Sequence, residues 1–98
     1  MLQSEVSEKI LRRRRQLLVH SVIYYSMNDN IITDETWSKW ALELEELQKE
    51  YPDISSQLQW AEEFADFDHS TGYDLPLDDP WAVRKAKELL KIRDERRR

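Results

Sequence analysis

Cysteine is absent from these 98 residues, glycine occurs once and proline three times. Without cysteine there is no disulfide framework and no thiolate metal site. One glycine cannot build a phosphate-cradling loop. No serine sits on a glycine-rich elbow, and only His20 and His69 are on offer as bases, so no hydrolase triad is expected. His20 reads as a helix-surface or hairpin-contact residue. No apolar run approaches the roughly 20 residues a membrane span requires, and the start has no signal-peptide pattern. A cytoplasmic protein is the expectation.

What is abundant is Leu, Glu, Lys and Arg: charged residues make up 36% of the chain and hydrophobic ones 40%. That composition predicts a single all-α domain, because strand-rich small domains need more turn glycines and β-branched residues. The net charge of −5 is unevenly spread. Residues 1–28 carry five bases and two acids, residues 29–80 fifteen acids and two bases, and residues 81–98 eight bases and three acids. The acidic middle would repel nucleic acid, and the basic ends either attract it or neutralise the middle on folding.

Hydrophobic periodicity predicts four elements. Residues 4–27 read as a helix capped by Ser4, with Val6, Ile10, Leu17, Val22 and Tyr25 near one face. "NDN" at 28–30 ends it. Thr33 caps a second helix whose stripe is Trp37, Trp40, Ala41, Leu44, Leu47 and Tyr51, and Pro52 stops it. The helical hairpin thus covers residues 4–51. Asp53 caps a third helix over 53–66, residues 67–79 form an ordered loop, and Asp79 with Pro80 starts a final helix over 80–94, after which the chain frays.

Three clusters bear on chemistry. Asp66, Asp68 and Ser70 alternate as calcium-loop ligands do, but the glycine falls one place late and Leu77 stands where a bidentate Glu belongs. They are a weak metal candidate, with local turn hydrogen bonds the simpler reading. Arg12, Arg13, Arg14 and Arg15 span a full helical turn, so they point in four directions and form no flat face for nucleic acid. Trp40, Glu43, Glu46, Glu50, Glu62, Glu63 and Asp66 are the candidate partner-facing residues, an aromatic anchor among carboxylates.

The stretch "LLVHSVIYYSMNDNIITDETWSKWALELEELQKEYPDI", residues 17–54, resembles the N-terminal helical domain (Ia) of NAD-dependent DNA ligases. The shared pattern is a helix ending in aromatics, a polar turn, I-x-D-x-x-aromatic, then E-L-x-x-L and an aromatic-Pro. The resemblance implies a helical hairpin that closes over the nicotinamide mononucleotide half of NAD. It also implies a site at Tyr24, Tyr25, Asp34 and Trp37. Tyr24 and Asp34 match the family residues; Tyr25 stands for a histidine, Trp37 for a tyrosine and Ser38 for a second aspartate. No lysine is followed by x-D-G, the adenylylation motif, so ligase activity is not expected of this polypeptide. Short free-standing proteins of this kind occur in bacteriophages and prophages.

These readings lead to a non-catalytic interaction module. It would bind and inhibit a host or defence protein acting on nucleic acid, through an acidic DNA-mimicking surface. The alternatives are a small-molecule binder that retains a nicotinamide nucleotide (NMN or NAD) site, and a weak nucleic-acid binder using residues 12–15 and the tail. Homo-oligomerisation is left open by the sequence.

Overall fold

The computed structural model describes residues 2–97 and is all-α, with no strand among the described residues. Helix α1 (Gln3–Ser21) runs on as a π-helical turn over Val22–Ser26. It is followed by α2 (Asp34–Glu50), the short α3 (Pro52–Ser56) and α4 (Pro80–Arg96). Helix α1 packs against α2, α3 and α4, which makes it the central element. Accordingly Leu17, Leu18 and Val19 are all buried, since a helix covered on several sides cannot keep a polar flank. Phe64, Leu75, Ala82 and Ala86 join Ala41 and Leu44 around it. No helix among the described residues is long and apolar enough to cross a membrane.

The two predicted caps of α2 and α4 form. Thr33 Oγ1 accepts from the Thr36 N–H, and Asp79 accepts from the Ala82 N–H. Ser4 is not a cap; α1 starts one turn position earlier, after Leu2, without a side-chain cap. Asn28 ends the first helical run with φ of 52°, the left-handed conformation that Asn tolerates.

The third helix is the main departure from expectation. Pro52 opens α3 at its first helical position, and the helix stops at Ser56, with turns over residues 57–66. The cause is tertiary. Arg14, 1% exposed, sends its guanidinium into this segment and donates to the carbonyls of Ser55, Leu58 and Gln59. Trp60 takes φ of 67°, which places its ring 5.5 Å from that of Trp81 in the core. Helix α4 also runs further than expected, to Arg96, because Arg93 is anchored by two 2.8 Å bonds to Asp29.

Candidate functional site

The residues bearing on a ligand gather where α1 gives way to π-helix. The Met27 N–H donates to Val22 O, closing an i→i+5 turn that takes in one residue more than an α-turn. Tyr25, expected on the buried face of a regular helix, is 39% exposed as a result, and Tyr24 is 52% exposed. Their rings meet edge to face at 4.9 Å, and Tyr73 continues the series at 5.4 Å from Tyr25.

These side chains open onto a cleft of about 220 Å³. Tyr24, Tyr25, Asp34 and Trp37, read from sequence as a site, all line it, and Ser38 lines it too. Sequence reasoning missed the rest of the wall. Ile31 and Ile32 come from the hairpin turn, His20 and Ser21 from the end of α1, and Ser70 and Thr71 from the loop before α4. One signal was available: His20 lies one helical turn before Tyr24, hence on the same face.

The loop wall is held by specific bonds. Glu45 accepts from the His69 N–H at 3.0 Å and lies 2.6 Å from His69 Nδ1. The bond with His69 is the largest reason the Glu45 carboxyl is held down at about 2. Thr71 Oγ1 is 3.1 Å from the Tyr25 hydroxyl. Gly72 is buried so close to the hairpin that an added Cβ would lie 2.2 Å from Ser21 Oγ and 2.9 Å from Trp37 Cζ2. The chain's one glycine therefore marks a close approach. On the opposite side Arg93 donates to Asn30 O as well as to Asp29, so α4 fixes the turn that supplies the cleft's rim. Arg93 holds the Asp29 carboxyl down at about 2. Among the described residues, no Lys or Arg lines the cleft.

The other candidate residues lie elsewhere. Asp68 accepts from both the N–H and the hydroxyl of Ser70, a local turn. With Asp66 and Asp68 exposed, no group of three or more His, Cys, Asp or Glu among the described residues is placed to hold a metal. Glu43 pairs with Lys9 and Arg13, and Trp40 is half-buried under Arg13 and beside His20. Glu46, Glu50, Glu62 and Glu63 are exposed. Of the four arginines, Arg12 pairs with Glu8, Arg13 with Glu43, and Arg14 is buried; Arg15 is exposed. Arg14 is thereby withdrawn from any phosphate contact.

Comparison with known proteins finds partial likeness to DNA ligases. Over 53 residues, 54% of this chain, the sequence is 38% identical to a DNA ligase of Thermotoga petrophila. It is 36% identical over a match of the same length to a DNA ligase of Thermotoga maritima. In both cases the match covers 8% of the ligase, so the chain spans a small part of the curated relatives it resembles. No protein-family profile and no solved structure matches the chain. The chain is thus all-α among the described residues and carries a DNA ligase-like segment.

Proposed function

We propose that this chain binds the nicotinamide mononucleotide half of a nicotinamide nucleotide. The supporting observation is convergence. Tyr24 and Tyr25 from the π-helical turn, and Asp34 and Trp37 from the first turn of α2, meet at one cleft, in a chain that carries a ligase-like segment. The lining chemistry fits the group. Electron-rich aromatic faces and a carboxylate favour a flat, positively charged heterocycle such as the pyridinium of nicotinamide. At about 220 Å³ the cleft is below the roughly 300–1,000 Å³ of drug-sized sites, which suits a mononucleotide better than a whole dinucleotide. Tyr24, Tyr25 and Trp37 would hold the ring and Asp34 would balance its charge. The reading is one of binding, with no catalytic step assigned to this chain. Titration calorimetry with NMN and with NAD tests it: one site per chain is expected, lost in Trp37→Ala. Absence of heat at millimolar NMN would overturn it.

A second reading is a module that binds and inhibits a host or defence protein acting on nucleic acid. It is favoured by a separate groove lined by Glu62, Glu63, Asp66, Asp68 and Asp74 beside Phe67 and Leu75. Such a surface suits a basic partner, and salt would weaken the complex steeply. Undetectable affinity for candidate nucleases and ligases at low salt would end this reading.

A further inference from the structure

Four cations of α1 and α2 are matched within the chain: Arg12 with Glu8, Lys9 and Arg13 with Glu43, and Lys49 with Glu45. The outer face of α4 differs. This helix buries Ala82 and Ala86 and turns Arg84, Lys87 and Lys91 to solvent. Spaced three and four residues apart, they form one row over about 10 Å of helix axis. Among the described residues none of the three makes an ion pair. The bridges of α4 belong to Lys85 with Glu88, and to Arg93 with Asp29 and Asp94.

The row has an apolar flank. A groove of about 590 Å³ beside it is lined by Pro80 and Val83 together with Arg84, Lys87 and Lys91. Two carboxylates also line it: Glu88, already paired with Lys85, and Asp78. Lys87 and Lys91 line a second groove as well, so they stand on the crest between the two. The counterpart of such a ridge is a groove with an apolar floor and a rim of carboxylates. The same chain carries one, lined by Glu62, Glu63, Asp66, Asp68 and Asp74 beside Phe67 and Leu75. Among the described residues none of these five carboxylates makes an ion pair either. The two surfaces share no residue, and their charges stay unmatched within one molecule.

We propose that α4 docks a second copy of this chain, with Arg84, Lys87 and Lys91 seated against the acidic groove of the neighbour. Opposite charges then meet at the rim and apolar side chains at the centre. One helix face is small for an interface, so the association is weak and sensitive to salt. It covers the groove that the inhibitor reading offers to a basic partner. No residue of α4 lines the hairpin cleft, so the contact stands apart from the nucleotide reading.

The test is sedimentation equilibrium of the full chain, up to about 1 mM protein, in about 0.02 M and about 0.5 M salt. At low salt the average mass should exceed that of one chain and rise with concentration. High salt should weaken the association at least about tenfold. Two double variants reverse one surface each: Lys87→Glu with Lys91→Glu, and Glu62→Lys with Asp66→Lys. All four positions are exposed, and thermal melting close to wild type checks that both variants fold. Each should be monomeric alone, and their equimolar mixture should associate, because each keeps the surface the other has lost. A wild type that is monomeric throughout overturns the proposal, as does association indifferent to salt or to both reversals. So does a mixture that stays monomeric. If a monomeric wild type retains a short DNA duplex at low salt, the row faces a phosphate backbone instead of a second copy.

Discussion

Arg14 is the residue on which most of the interior turns. Its guanidinium donates to Gln48 Oε1, to Ser55 O and Oγ, and to the carbonyls of Leu58 and Gln59, and it lies 5.8 Å from the centre of the Phe64 ring. Among the described residues no carboxylate is bonded to it, and burial lowers its pKa to about 10 while the charge of Glu63 opposes the shift. It therefore remains charged at neutral pH and is satisfied by dipoles. Replacing it leaves several buried acceptors unpaired at once. Arg14→Leu should reduce the free energy of unfolding by about 2–5 kcal/mol, read from urea titration. Arg14→Lys should recover little of this, because an ammonium cannot present the planar fork that reaches Gln48 and Ser55 together. A loss below about 1 kcal/mol in Arg14→Leu would show that the network contributes little.

At the scale of elements, the helix starts follow local chemistry and the interruptions do not. Thr33 and Asp79 each satisfy an orphan N–H of the first turn, a rule that operates within four residues and is visible in the sequence. Thr33→Ala and Asp79→Ala should each cost about 1 kcal/mol of stability by urea titration; Thr33→Ala should also loosen the cleft wall it belongs to. The stripe from Trp37 to Leu47 was equally legible, since period and burial agree there. The break after Ser56 was not. Ile54, Leu58, Ala61 and Ala65 keep a helical spacing, but the carbonyls that would sustain the helix bond to an arginine more than 40 positions away. The π-turn was hidden for a different reason: one extra residue in a turn leaves no mark in composition. Four residues that line the cleft were named from the ligase resemblance, since its motif spans the hairpin turn, whereas Ser70 and Thr71 reach the cleft only through tertiary contacts of their loop.

For the molecule as a whole, the uneven charge of the chain resolves into ties between its parts. Lys9 and Arg13 of the basic start meet Glu43, and Arg93 of the basic end meets Asp29. Asp29 and Glu45 both have folded pKa values of about 2, below their ordinary values near 4. The stability they contribute is fully present above those ordinary values and is lost as pH falls toward 2. His20, whose pKa is lowered by burial, acts in the same direction below its ordinary value, since the unfolded chain takes up a proton the folded one resists. The urea midpoint should therefore decline as pH falls from about 7 to about 2, and Asp29→Asn should be less stable at pH 7 with a shallower acid decline. An unchanged slope in that variant would show that the pair with Arg93 is not a source of acid sensitivity. The composite wall of the cleft has a consequence for how the chain responds to what it holds. His20 and Tyr24 belong to one stretch of backbone, and Ser70 and Thr71 to another some fifty positions later. A molecule seated between them acts as a removable crosslink across that span: it fastens the loop to the hairpin, its occupancy is counted in the free energy of folding, and the melting temperature becomes a gauge of its concentration.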